Sequence, residues 1–534
     1  MNKYLKKLDL IAGIETKAGF PKSLERTSFV FLFIMLLAAP HSIAATQIAG
    51  SLGLVFWIIR HLFRPHPETK PTVLAFPLIA LFGWTAITAF LSYAPDISVP
   101  KIRGESLFLI FFFAFNHLRN RRAARLAAGA LIISCMVNVL WMPLERVIGK
   151  GVKIDEIQQN GPLFKSGFRD GDGLFQANGK EISTPSDIVT EIEKSGKASV
   201  LYYREGHYWA FEIARVDFLP GKSASEKLGI VGWSISRSWR SAGFYGHYTT
   251  YAEVLQLIGS LIFGLLIAGI GVYISKGRRI PEEGKSIGLE NRPYKKLASL
   301  QNILLLAVIL GLLSLALLLT ITRAAQAGFL ASLIVIVLMM GSRKLFITLV
   351  LILVPVIVGG TVFLQQTRGV GFFDLKDNST SWRLRVYHEG ISIATSRPRN
   401  FIFGVGVDSI KRYAKDWKLY ENGIVLGGHF HSTPVQLLVE RGFPGLLLWL
   451  WLFAAYLATL FKSLRSGSYI TWLDRGILLG SFGGVIGFLV SSIVHYNFGD
   501  AEVVMVLYMV MAIGMSLALV RPSEKLPASG VRPG

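Results

Sequence analysis

The sequence predicts an all-α polytopic membrane protein of about 12 transmembrane helices, with one small α+β domain inserted between the fifth and the sixth. Three observations predict it. Mean hydropathy is +0.47 and 52% of residues are hydrophobic. Apolar runs of about 17 to 25 residues recur along the chain, each long enough to cross a bilayer. A polar stretch of about a hundred residues interrupts these runs once and then gives way to them again.

The spans are expected at 27–43, 45–62, 72–92, 104–117, 124–145, 248–275, 299–320, 324–341, 345–364, 443–462, 473–495 and 501–520. The segment ahead of the first is polar and basic. No small-residue cleavage site follows the first apolar run, so that run is expected to direct insertion rather than to be removed.

The net charge is +22. In a soluble protein this would point to nucleic acid, but here the basic residues cluster between spans. Arg60, Arg64 and Lys70 form one cluster, and Arg119, Arg121, Arg122 and Arg125 another. Lys276 to Lys296 fill a polar loop, and Arg343-Lys344, Lys462 with Arg465, and Arg521 with Lys525 complete the set. Placing all of them in the cytoplasm satisfies the positive-inside rule and puts both termini on that side. The single cysteine, Cys135, lies within an apolar run, so no intrachain disulfide is possible.

The expected domains are 1–147 (spans one to five), 148–220 (the insert), 235–363 (spans six to nine), 364–441 (a large outer loop), 442–521 (spans ten to twelve) and 522–534 (a cytoplasmic tail). Within the insert, Gly161-Pro162 opens a short helix and Gly167-Phe168-x-x-Gly171-Asp172 leads into a strand. Asn178-Gly179 turns a hairpin, and Asp187 to Lys194 form a second helix. The Asp170-Gly171-Asp172 triplet reads as a turn rather than a metal motif. From Gly151 to about Val216 this order of features resembles a bacterial PDZ domain. The resemblance implies a protein partner, whose chain end would be held near Ile148–Gly151, with Gly149, Lys150, Gly151 and Val152 as candidate contacts. This loop lacks the usual hydrophobic residue between its glycines, so a structural or docking role stays open.

The chemistry-bearing residues lie further on. In GGHFHSTPVQLLVERGFPGLLLWLWLF, His431-Ser432 is followed after nine residues by Gly442 and then by Gly445, where a loop re-enters an apolar helix. Histidine suits general-base work near neutral pH. An interfacial helix cap is the plainer alternative. Arg240 opens RSAGFYGHYTTYAEVLQL at the expected outer end of the sixth span, and Arg323 stands between two apolar runs in LLLTITRAAQAGFLASL. An arginine so placed needs an anion or a wet cavity, unless it sits in a surface turn. The loop from Gln365 to Pro434 carries Arg368, Arg383, Arg385, Arg397, Arg399, Lys411 and Arg412 on the outer side, against the positive-inside trend. Its helical stretch around Arg383 and Tyr387 ends in a Gly404-x-Gly406 turn.

These motifs, over roughly 235–450, resemble the O-antigen ligase and Wzy-type polymerase superfamily. Pro398 stands further from the glycines than in the family's usual pattern. The resemblance implies a GT-C-like, metal-independent and inverting glycosyltransferase of the bacterial inner membrane, with its active site and insert in the periplasm. It implies a glycan on undecaprenyl diphosphate as donor and lipid A core oligosaccharide as acceptor, with no cofactor. It assigns His431, Arg240 and Arg323 to catalysis, and Arg383, Arg385, His247, His429 and Ser432 to substrate binding. The chemistry is consistent: arginine grips a diphosphate bidentately and stays charged, and an imidazole can take the proton of an acceptor hydroxyl.

The same signature serves polymerases and protein O-oligosaccharyltransferases using that donor. A transporter or a membrane scaffold with a docking domain remains the alternative of another class. A metal-dependent oligosaccharyltransferase is disfavoured, because the first outer loop, about Pro40 to Thr46, has no acidic residue. A zinc protease fails because His388-Glu389 meets Ser392 where HExxH needs its second histidine.

Overall fold

The computed structural model describes residues 2–16, 18–276, 299–341, 347, 351, 359, 378–420, 428–467 and 471–519. The chain begins with α1 (Asn2–Ala12), α2 (Phe20–Ala38), α3 (Ile43–His61), α4 (Ala75–Phe90), α5 (Pro95–Glu105), α6 (Leu109–His117) and α7 (Arg121–Ile148). The insert follows as β1 (Val152–Ile157), α8 (Pro162–Lys165), β2 (Gly173–Ala177), β3 (Lys180–Glu181), α9 (Pro185–Ser195), β4 (Lys197–Arg204), β5 (His207–Ala214), α10 (Ala224–Leu228) and β6 (Ile230–Ile235). The second half holds α11 (Tyr248–Lys276), α12 (Leu300–Leu319), α13 (Arg323–Met340), α14 (Asn378–Thr395), α15 (Pro398–Phe403), α16 (Ile410–Tyr413), α17 (Thr433–Ser466), α18 (Trp472–Ser492) and α19 (Ala501–Leu519).

Eight helices among the described residues are long and apolar enough to cross a membrane: α3, α7, α11, α12, α13, α17, α18 and α19. The difference from the expected 12 has specific causes. Lys22, Glu25 and Arg26 occupy the early turns of α2, and α4 has 16 residues. The expected 104–117 span divides into the 3₁₀ turn Ser106–Phe108 and the nine-residue α6. Most of the expected 345–364 span, Arg368, the basic residues of 277–298, Arg343-Lys344 and the tail lie outside the described residues.

α11 is buried over most of its length against α18, α13 and α19. Polar side chains join these apolar helices where lipid would offer them nothing. Gln256 Nε2 donates to Ser332 Oγ at 2.9 Å and to the Gly484 carbonyl at 3.1 Å, and Ser332 Oγ donates to the Gly483 carbonyl at 2.7 Å. At the other end of the bundle, Arg60 Nε meets Glu25 Oε1 at 2.7 Å, joining α2 to α3.

The insert is an antiparallel sheet in the order β5-β4-β2-β1-β6, with β3 paired to β2. Asn178 and Gly179, both at positive φ, turn the β2–β3 hairpin as their sequence predicts. A capping box of Thr184 and Asp187 starts α9. The apolar faces of β1, β2, β4 and α9 share a core that includes Val152, Leu163, Phe168, Ile188, Val200 and Leu228. The domain runs past the expected boundary at 220. β6 pairs with β1 in the register Val152↔Ile235 and Ile154↔Trp233, a pairing of distant strands that local pattern does not reveal.

That pairing corrects the expected chain-end loop. The Gly149 amide donates to the Glu145 carbonyl at 2.8 Å, and the Lys150 amide to the Ser236 carbonyl at 3.0 Å. Gly151 accepts from the Ser236 amide, and Val152 lies in a strand paired on both sides. The Gly149 and Lys150 amides are thus spent within the chain, and the four residues close the domain against α7.

Candidate active site

The His431–Gly442 spacing has a direct structural reason. Ser432 is the N-cap of α17, its Oγ accepting from the Val435 amide at 3.4 Å. The helix then runs nine residues to Arg441 and breaks at Gly442, whose φ is +68°. A side chain there would be strained, and its Cβ would stand 2.2 Å from the Ile402 carbonyl oxygen. The break orphans three carbonyls, and all are answered. The Val405 amide donates to Val439 at 2.8 Å, the Gly406 amide to Glu440 at 3.0 Å, and Trp84 Nε1 to Arg441 at 2.8 Å. Gly404, at φ +70°, lets the loop come this close, since a Cβ would meet the Glu440 main chain at 2.4 Å.

Two buried charged residues at this break were not anticipated. Glu440 Oε1 accepts from Gln436 Nε2 at 2.8 Å and from the Asp408 amide at 2.9 Å, tying the Gly404–Gly406 turn to α17. Arg441 pairs with Glu105 at the end of α5. Their signal was two adjacent opposite charges in an otherwise apolar stretch.

His431 has φ +50°, uncommon for a residue with a side chain. Two contacts hold it there. Its amide donates to His429 Nδ1 at 3.2 Å, and its carbonyl accepts from the Tyr387 hydroxyl at 3.0 Å. The first contact leaves the ring proton of a neutral His429 on Nε2. The His431 ring stands edge-on to His429 with centroids 4.1 Å apart and to Trp382 at 5.1 Å. Burial above all, followed by the neighbouring His429 ring, Arg383 and His495, pushes the imidazolium of His431 far below the ordinary histidine range. Burial likewise lowers His429 to about 4. Both rings are neutral at neutral pH.

Arg383 and Tyr387 lie one turn apart on α14, on the face that meets His431. Arg385, two residues on from Arg383, points to the other side of that helix and is exposed. It is not brought to the histidines.

Arg240 and Arg323 meet through a turn. Arg240 Nε donates to the Thr320 carbonyl at 2.9 Å, and Nη2 to the Ile321 carbonyl at 2.8 Å and to Thr322 Oγ1 at 3.1 Å. Ile321 has φ +53°, an outlier for a β-branched residue, and Arg323 is the first residue of the helix that follows. The Arg240 guanidinium also lies 3.4 Å from the ring centroid of Tyr248, which stacks on His247.

The insert packs directly on this arginine segment. Trp239 is buried among Phe175, Tyr203 and Tyr208, and the Tyr208 hydroxyl meets the main chain of Arg240. From α7, Arg146 Nη2 donates to the Trp239 carbonyl at 2.5 Å and to Ser241 Oγ at 3.1 Å.

The remaining link is His495, between α18 and α19. Burial lowers His247, and the charges of His495 and Arg240 act on it; His495 also acts on His429 and His431. His247 therefore lies within electrostatic reach of Arg240 and His495, and His431 within reach of His495 and Arg383. Among the described residues, no three His, Cys, Asp or Glu side chains converge as a metal site.

Residues 306–450 match the family model described as O-antigen ligase. The O-antigen ligase match covers about a quarter of the chain and contains Arg323, Arg383, His429, His431, Gly442 and Gly445. Arg240, His247, His495 and the insert lie outside the O-antigen ligase segment. No curated protein matches the chain.

Proposed function

We propose that this protein is an inverting, metal-independent glycosyltransferase that moves a glycan from undecaprenyl diphosphate to lipid A core oligosaccharide at the outer face of the bacterial inner membrane. The observation that carries the reading is the position of His431 inside the O-antigen ligase match, held in an unusual backbone conformation beside Arg383 and Tyr387. Strain of this kind needs support from its surroundings and recurs at functional sites.

In the step, the acceptor hydroxyl oxygen attacks the anomeric carbon on the face opposite the diphosphate. The carbon–oxygen bond to the diphosphate breaks, and its electron pair leaves on the phosphate oxygen. His431 takes the hydroxyl proton, and the anomeric configuration inverts. Arg240 and Arg323 neutralise the leaving diphosphate, with Arg383, His429 and His247 contacting the substrates, while buried Ser432 caps α17 and holds the His431 turn instead. Burial is the main cause of the low basicity of His431, and an entering diphosphate raises that basicity to the extent that its charge offsets Arg383.

A protein acceptor or partner is the second reading, and the insert favours it. Its sheet resembles a PDZ-like docking module whose outer strand β6 exposes Val231, Trp233 and Ile235 at 63%, 39% and 51%. A chain end would add at that edge, not at Gly149–Val152. The test of both readings is transfer from undecaprenyl-diphosphate glycan to separate lipid A core, lipid-linked glycan and protein acceptors. Product on the lipid A core supports the first reading, and product on protein the second. Transfer to none contradicts both.

A further inference from the structure

The site holds an imidazole–carboxylate pair to which the transfer step above gives no role. His495 Nδ1 lies 3.3 Å from Glu253 Oε1. Both atoms are buried, and among the described residues neither has a hydrogen-bond partner, so the close contact between them is an ion-pair distance rather than a formed hydrogen bond. The second oxygen of Glu253 accepts from Ser491 Oγ at 2.8 Å and from Asn497 Nδ2 at 3.4 Å. Glu253 itself is fully buried on α11. One carboxylate oxygen is thus served by Ser491 and Asn497, and the other lies open to the charge the imidazole gains when it takes up a proton.

The His495 side chain keeps 17% exposure although Nδ1 is sealed. The exposure therefore lies elsewhere on a side chain whose second nitrogen is Nε2. The main chain of His495 is tied to the helix that carries the site: its carbonyl accepts from both the amide and the hydroxyl of Thr433, each at 3.1 Å. Thr433 is the first residue of α17, two positions after His431.

We propose that His495 and Glu253 are the proton store of the site: the proton that His431 removes from the acceptor passes to Nε2 of His495, and Glu253 balances the imidazolium that forms. This rests on the glycosyl-transfer reading. His431 begins and ends the step neutral, His495 changes from neutral ring to cation, and Glu253 stays a carboxylate throughout. The diphosphate leaves with the electron pair of the broken bond, and the stored proton is released to water as the products depart. The groups around His495 explain the division of labour. His247 precedes α11, His429 and His431 lie in the loop before α17, and Arg383 projects from α14; all are neutral or cationic. Asp500, which acts on His247, is held by Thr250 Oγ1 at 2.5 Å. Among the described residues, Glu253 is the carboxylate within ion-pair distance of the ring. A carboxylate behind an imidazole orients it and stabilises its cation.

The test compares full-length wild type, His495→Gln and Glu253→Gln in one detergent, measuring kcat, donor KM and the pH profile of kcat/KM. His495→Gln is expected to lower kcat about 100-fold with donor KM changed less than about threefold. Glu253→Gln removes the negative charge 3.3 Å from the ring and is expected to move the acidic limb of the profile to lower pH. The double variant is expected to be no slower than His495→Gln, because the two act as one unit. The main-chain bonds to Thr433 survive all of these changes; should a glutamine variant not fold, His495→Asn reads the same kcat. An unmoved acidic limb, or His495→Gln retaining wild-type kcat within about threefold, overturns the proton store while leaving the transferase reading intact. A wild-type protein that transfers no glycan overturns both.

Discussion

Arg240 Nε donates to the carbonyl of Thr320 across 2.9 Å, joining two segments 80 residues apart at the turn that launches Arg323. The two arginines assigned to the diphosphate are thus one structural unit. The first fixes the backbone from which the second projects.

Replacing Arg240 by lysine removes the planar fork that serves two carbonyls and a hydroxyl at once. We expect kcat/KM for transfer to fall by about 100-fold. The buried carbonyls left short of donors should also cost about 1–3 kcal/mol in stability. Steady-state kinetics and thermal unfolding in one detergent check the two effects.

Gly442→Ala is expected to destabilise the protein by about 2–4 kcal/mol, because the residue sits at φ +68° and its Cβ would strike the Ile402 carbonyl oxygen. The break would shift and carry the His431 loop with it. A lower melting temperature together with lost transfer is the expected pair of results. A melting temperature equal to wild type would contradict the role given to the break.

The buried histidines make stability depend on pH in a defined direction. His429 is lowered from 6.5 to about 4, and His431 is lowered further. Once pH falls below about 6.5, the unfolded chain binds protons at these positions that the folded protein refuses, so stability is lost from there downward. The melting temperature should drop between pH 7.5 and pH 5, and His429→Gln should flatten the drop. An equal drop in the variant would remove His429 as a contributor.

Trp239 links the insert to the arginine unit, so Trp239→Ala should slow transfer by about tenfold or more without touching substrate. Losing a buried indole should also cost about 3–5 kcal/mol. Trp239→Phe, which refills most of the aromatic pocket, should recover most of the rate. Failure of phenylalanine to rescue would argue against a packing role.

The membrane character, most helix positions and the paired motifs at His431 and Arg383 were legible because each is a local signal: an apolar run, a glycine at fixed spacing, an arginine where lipid should be. The partners of those motifs were less so. β6 joins the insert by pairing with a strand over 70 residues earlier, and local pattern placed the domain end before it. Glu440 and Arg441 matter because of what they meet at the Gly442 break. His495 and Glu253 did leave a trace, a histidine between two spans and an acid inside one, and an ionisable residue in a membrane span is a functional candidate by default. Arg385 is the opposite case: its charge drew attention, but the helix turns it away.

The most direct test of the central claim is glycan transfer by purified protein with chelator present, comparing wild type with His431→Ala. Wild type is expected to join undecaprenyl-diphosphate glycan to an acceptor despite the chelator, and His431→Ala is not. Transfer of equal rate by His431→Ala, or transfer by wild type that the chelator abolishes, would contradict it.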